Sequence, residues 1–80
     1  MMTNFKAASP VWTKDNEKIL DRIKDFANKH PYLRFGQILF AMGIIEQDEN
    51  GNIIDIFYEE PPRTNKKIDI KMQKLNGEIN

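Results

Sequence analysis

"HPYLRFGQILFAMGII", residues His30 to Ile45, decides the fold. Leu33, Phe35, Ile38, Leu39 and Met42 recur at helical spacing, and Phe40 and Ala41 widen the apolar surface, so a central helix is expected over 32–42. Gly43 follows as its left-handed cap. Two residues do not suit a plain buried helix. Gly36 in a helix interior costs about 1 kcal/mol relative to alanine. The compensation expected is close approach of Phe57, Tyr58 or the first helix, which makes Gly36, Phe35, Leu39, Asp55 and Phe57 structural residues of an interior segment. Arg34 has no partner nearby in sequence, and is expected to reach Asp55, Glu59 or Glu60, either as a clamp or as part of a binding surface with Gln37.

Upstream, Ile19, Leu20, Ile23, Phe26 and Ala27 fall on one face of a helix expected over 14–28, with Thr13 as N-cap and Asp15 and Glu17 near its positive end. Lys18, Asp21, Arg22, Lys24 and Asp25 take the other face and read as solvated. Asn28-Lys29-His30-Pro31 stops this helix, because the residue before a proline disfavours the α region. The first dozen residues, broken by Ser9-Pro10, read as an arm from which Phe5, Val11 and Trp12 can dock, Trp12 as a hydrophobic staple.

Downstream, Ile44-Ile45 and Ile53-Ile54 flank "EQDENGN", which reads as a short hairpin with a type I′ turn at Asn50-Gly51. In "DIFYEEPP", Asp55 caps one turn carrying Phe57 and Tyr58, ended by Pro61-Pro62. Beyond Thr64 the apolar residues fit a strand (Ile68, Ile70, Met72) or a helix (Ile68, Met72, Leu75, Ile79). The helix accounts for more of them, with Thr64 as cap and Asn76-Gly77 as stop. The expected architecture is therefore mainly α: a small three-helix domain over 13–77, with a hairpin or extended loop between the second and third helices, an arm over 1–12 and a tail over 78–80.

A chain of 80 residues makes one domain, and such a domain buries only about 60% of its unfolded surface. Twelve basic residues balance twelve acidic ones, so no global field draws the protein to nucleic acid or anionic lipid. The absence of cysteine excludes disulfides and thiolate metal sites. There is neither a secretory apolar run nor a stretch approaching the ~20 apolar residues of a bilayer span. A cytoplasmic protein with no membrane partner is expected.

Chemistry-bearing constellations are few. Asp48, Asn50, Asn52 and Glu59 have the spacing of a calcium loop, but Ile53 stands where that loop requires glycine and Asp55 where it is usually apolar. Glu59 and Glu60 are adjacent, so their carboxylates diverge rather than converge on a substrate. His30 is the sole histidine, and no nucleophile elbow, phosphate loop or dinucleotide fingerprint occurs. Neither a catalytic residue nor a cofactor or metal ligand is therefore assigned. Two successive helices invite a helix-turn-helix reading, yet 32–42 offers only Arg34 and Gln37 to a major groove.

The pair "HPYLRFGQILFAMGII" and "DIFYEEP" resembles a group of small uncharacterised phage and bacterial proteins, in which a Pro-x-Leu-Arg-Phe/Leu-Gly-Gln helix precedes an Asp-x-Phe-Tyr segment. The likeness spans Pro31 to Pro61, with a weaker echo around Thr64; "EQDENGN" and Pro61-Pro62 depart from it. It implies a helical fold and a mobile-element context, without a mechanism.

The resulting expectation is a non-enzymatic module that binds another protein, such as an inhibitor or accessory factor of a phage, with Arg34, Gln37, Tyr58, Glu59 and Glu60 as candidate binding residues. If Phe5, Trp12, Phe40 and Ile79 cannot all be buried in one chain, they form a sticky patch, for which a homodimer is one outlet. The alternative is a nucleic-acid-binding regulator using the basic last helix, with Lys66, Lys67, Lys71 and Lys74 touching phosphates.

Overall fold

The computed structural model describes residues 10–79, with side chains placed for 11–76. Phe5, the side chain of Ile79 and most of the expected arm lie outside the described residues. Three helices follow a 3-10 turn at Pro10–Trp12: α1 (Thr13–Lys29), α2 (Phe35–Ala41) and α3 (Pro61–Ile79). The mainly α, three-helix class expected from the sequence is the one observed. Residues 66–76, ambiguous between strand and helix, are helical, and α3 continues through Asn76-Gly77 instead of stopping there.

Helix α1 starts one residue earlier than expected, with Trp12 in the N-cap place and Thr13 already helical. Asp15 in its first turn and Lys29 in its last complement the helix dipole. Ile19, Ile23, Phe26 and Ala27 pack on the core, whereas Leu20, expected on the same face, is exposed. The amides of the next stretch explain why α2 is short. His30 N–H donates to the carbonyls of Phe26 and Ala27, and Leu33 N–H donates to the carbonyl of His30 at 3.1 Å, closing a turn around Pro31 and Tyr32. Arg34 is then extended (φ −77°, ψ 158°), and its N–H donates to Gln37 Oε1 at 2.8 Å. The expected start at Tyr32 is thus corrected to Phe35, because proline suits a turn's second position and leaves the helix to be nucleated by the Gln37 cap.

At its other end α2 closes as expected on Gly43, with φ +82°. Gly43 N–H donates to the carbonyl of Phe40 and Ile44 N–H to that of Leu39, both at 3.0 Å, the pair of bonds that defines a Schellman cap. A Cβ on Gly43 would lie 2.9 Å from Lys71 Cβ and 3.3 Å from the Lys67 carbonyl oxygen. The close approach anticipated at Gly36 therefore occurs at Gly43, against α3. Around Gly36 nothing lies within 4 Å of a built Cβ. Gly36→Ala is accordingly expected to raise the unfolding free energy, by up to about 1 kcal/mol in urea denaturation, since it lowers backbone entropy and meets no obstacle; a loss of stability would speak for a contact at that face.

The connector between α2 and α3 is tied down by side chains more than by a ladder. Gln47 and Ile53 form one antiparallel bridge, and Ile54 N–H donates to the Glu46 carbonyl. Only Gly51, at φ +85°, takes a left-handed conformation here, so the turn is not the expected type I′, which needs two such residues. Asp48 Oδ1 instead accepts the amides of Asn50 and Asn52, and Gly51 N–H closes on the Asp48 carbonyl. This is a three-residue loop ending in a left-handed glycine. Asp55 repeats the device, accepting Phe57 N–H at 2.9 Å, with Glu59 N–H returning to the Ile56 carbonyl. Pro61 does not simply end that turn; it is the first residue of α3, where its missing N–H is harmless. Thr64, expected as the cap, lies a turn inside the helix.

The core is small. Ile38, Met42, Ile44 and Ile68 are buried, with Leu39, Ile45, Ile56 and Met72 and the α1 residues packed around them. Ile68 is fully buried, at 0% exposure. The interior position expected for Leu39 is matched in part, but that expected for Phe35 and Phe57 is not: they are 63% and 74% exposed. Phe57 and Tyr58 occupy the central positions of the 56–59 turn and are exposed, whereas Ile56 packs on the core and Glu59 is partly buried.

Polar side chains on α3 join the helices. Asn65, buried, donates from Nδ2 to the Asp15 carbonyl at 3.1 Å and accepts at Oδ1 from Arg22 Nη1 at 3.2 Å. Arg22 Nη2 pairs with Asp69. Arg22 is thus removed from the solvated set and links α1 to α3.

Candidate functional site

Among the described residues the most buried charged side chain is Lys67, at 8% exposure. Its ammonium donates to the Ile44 carbonyl at 2.7 Å and to Glu59 Oε1 at 2.9 Å, while the Thr64 hydroxyl donates to Glu59 Oε2. Helix α3 presents Thr64, Asn65 and Lys67 toward the connector and α1 because two rows, Pro61, Thr64, Lys67 and Pro61, Asn65, Ile68, Met72, repeat at spacings of three and four along its inner face. Burial pushes the Glu59 carboxyl up, but the Thr64 hydrogen bond, the Lys67 hydrogen bond and charge, and the Arg63 charge together outweigh it and hold it below its ordinary 4.5. Glu59, one of the candidate binding residues, is in this way committed to a structural tie, and a carboxylate so held is a poor proton acceptor.

The sign of the resulting pH dependence follows. A carboxylate whose folded value is depressed adds stability above its unfolded value and loses it as pH falls through the folded one. Melting temperature is expected to be level near neutrality and to fall below pH 4.5, the ordinary value of this carboxyl, with a shallower fall in Glu59→Gln. Asp69 acts in the same direction, because the hydrogen bond from Arg22 outweighs its desolvation and, with the charges of Arg22 and Lys18, lowers its carboxyl. An identical acid limb in Glu59→Gln would assign the loss to other groups.

Arg34 forms no ion pair among the described residues, and the expected clamp is absent: Asp55 is engaged by Phe57 N–H and Glu59 by Lys67 and Thr64. Gln37 is engaged by the Arg34 amide. Glu60 caps α3 through its backbone, its carbonyl accepting the amides of Arg63 and Thr64. Two exposed surfaces among the described residues bear on binding. One is aromatic: Tyr32 is 96% and Tyr58 89% exposed, Phe35 and Phe57 are exposed as well, and the Phe57 and Tyr58 rings meet edge to face at 4.8 Å. The other is an open groove of about 480 Å³, lined on the α3 side by Arg63, Lys66, Lys67, Ile70, Lys71 and Lys74, and on the other by Phe40, Gly43, Ile45, Glu46, Gln47 and Asp48. Lys67, grouped in the sequence with Lys66, Lys71 and Lys74 as a phosphate contact, is instead tied to Glu59 and the Ile44 carbonyl, and this tie and the groove are what sequence reading missed. The signal for Lys67 was the three-residue spacing Pro61, Thr64, Lys67, had the helix been started from Pro61.

Among the described residues no three carboxylate or imidazole groups gather as metal ligands, and no described helix is long and apolar enough to cross a membrane. The chain matches no protein-family model, no curated protein and no solved structure. Fold and surfaces together define a small mainly α-helical domain with a minimal core, a buried lysine tie and exposed aromatic rings.

Proposed function

We propose that this protein is a non-enzymatic module that acts by binding another protein, an inhibitor or accessory factor of a phage or mobile element working in the cytoplasm. The observation that carries this reading is the exposure of Tyr32, Phe57 and Tyr58 on turns held by their own backbone and Asx hydrogen bonds. Rigidly presented aromatic side chains supply most of the energy at protein interfaces because they bury large area at small entropic cost. The likeness of Pro31-x-Leu33-Arg34-Phe35-Gly36-Gln37 and Asp55-x-Phe57-Tyr58 to small phage and bacterial proteins supports the mobile-element setting.

Tagged protein is incubated with a host lysate beside a Tyr32→Ser, Phe57→Ser, Tyr58→Ser variant, and sedimentation of the purified protein is followed over a range of concentrations. A discrete partner, or self-association, present with the wild type and lost with the variant supports the reading; equal capture by both contradicts it. A nucleic-acid-binding regulator is the second reading, favoured by Arg63, Lys66, Lys71 and Lys74 along one side of the groove.

A further inference from the structure

The groove differs from the aromatic turns in both chemistry and position. Arg63, Lys66, Lys71 and Lys74 stand on one face of α3 at successive steps of three, five and three residues, a span of about 16 Å at 1.5 Å per residue. None of the four forms an ion pair among the described residues. Lys67, between them, is already neutralised by Glu59. Phe40, Ile45 and Ile70 add apolar surface, and the Lys71 ammonium lies 5.9 Å from the Phe40 ring centre. Glu46 and Asp48 make the opposite side negative.

We propose that this groove docks an acidic segment of a partner protein, in which a large apolar side chain is flanked by carboxylates. The proposal rests on the protein-binding reading above and names the chemistry of a partner. Charge complementarity selects the carboxylates: four cations in a row, none of them in an ion pair among the described residues and outnumbering the Glu46 and Asp48 carboxylates across the groove, favour a chain with negative charge along one edge. The Phe40, Ile45 and Ile70 surface selects the apolar residue, since a purely ionic ligand would leave it wet. A nucleic acid fits less well. Its phosphates would run beside Glu46 and Asp48, and about 480 Å³ admits a few side chains rather than a duplex, whose grooves must be entered by the protein instead. A peptide can turn amide groups toward Glu46 and Asp48 while its carboxylates face α3.

The test is fluorescence anisotropy with a labelled peptide, Glu-Glu-Asp-Leu-Trp-Glu-Asp-Glu, against the full chain, beside an oligoglutamate of the same length and a single-stranded oligothymidylate. The acidic-apolar peptide is expected to bind at least about ten-fold more tightly than oligoglutamate and to lose about ten-fold or more in Lys66→Glu/Lys74→Glu, through like-charge repulsion. Phe40→Ser is expected to weaken it by about five-fold or more through loss of the apolar anchor. Both sets of positions are exposed, and circular dichroism verifies that the variants are folded. Binding that is equal for oligoglutamate, stronger for oligothymidylate, or absent overturns the proposal; the second outcome assigns the groove to nucleic acid. The Tyr32→Ser, Phe57→Ser, Tyr58→Ser variant is expected to bind the peptide as the wild type does. Failure of the peptide with capture through the aromatic turns intact removes the groove alone, and the converse result removes the aromatic reading.

Discussion

Lys67→Ala is expected to lower the unfolding free energy by about 3–5 kcal/mol, because it strands a partly buried carboxylate and a buried carbonyl together. Glu59 would keep its charge with only the Thr64 hydroxyl as a close donor, and the Ile44 carbonyl would lose its 2.7 Å partner. A domain of this size is stable by roughly 4–12 kcal/mol in all, at 0.05–0.15 kcal/mol per residue, so the variant should lose at least about a quarter of its stability. Urea denaturation followed by helical circular dichroism measures this. The companion variant Lys67→Met/Glu59→Gln removes the stranded charge and should recover part of the loss, while the Ile44 carbonyl stays unpaired. Lys67→Ala melting like the wild type would show that the tie contributes nothing and that the connector is held by Ile44 and Ile56 alone.

Gly43→Ala is the second large effect, about 2–5 kcal/mol of destabilisation. Holding an L-residue left-handed costs about 1–2 kcal/mol, and forcing extra volume into a packed contact typically adds about 1–3 kcal/mol. At Gly43 both apply, since φ is +82° and the new methyl would lie 2.9 Å from Lys71 Cβ. Relief requires α3 to move away from the end of α2, and the 3.3 Å approach to the Lys67 carbonyl means that backbone must shift as well. The contrast with Gly36→Ala separates two glycines seven residues apart on one segment. A neutral Gly43→Ala in urea denaturation would mean that the cap and the α2–α3 contact are easily remodelled.

Helical periodicity made α1 and α3 legible, because Ile19, Ile23 and Phe26 and then Ile68 and Met72 are spaced for one face each, and the Gly43 cap was legible because few residues other than glycine accept its backbone angle. Less was visible where hydrogen bonds override periodicity. Tyr32 and Leu33 look helical by pattern, but the His30–Leu33 turn and the Gln37 cap exclude them from α2. Apolar character also misled at Phe57 and Tyr58, whose local Asx turn fixes them outward whatever their affinity for a core. Lys67 was hidden for another reason: a lysine between Lys66 and Ile68 reads as solvent-facing until the connector supplies Glu59 and the Ile44 carbonyl, neither of which is adjacent in sequence. Of the candidate binding residues, Tyr58 and Arg34 stay exposed, whereas Gln37 and Glu59 are engaged in folding the chain.

The central claim is that a minimal core with its lysine tie holds the fold by itself and leaves the aromatic turns free for a partner. Thermal unfolding of the Tyr32→Ser, Phe57→Ser, Tyr58→Ser variant tests it most directly. The account predicts a melting temperature within about 8 °C of the wild type, the equivalent of losing about 1 kcal/mol from the Phe57–Tyr58 ring pair. A fall of about 20 °C or more would place these rings in the core and contradict it.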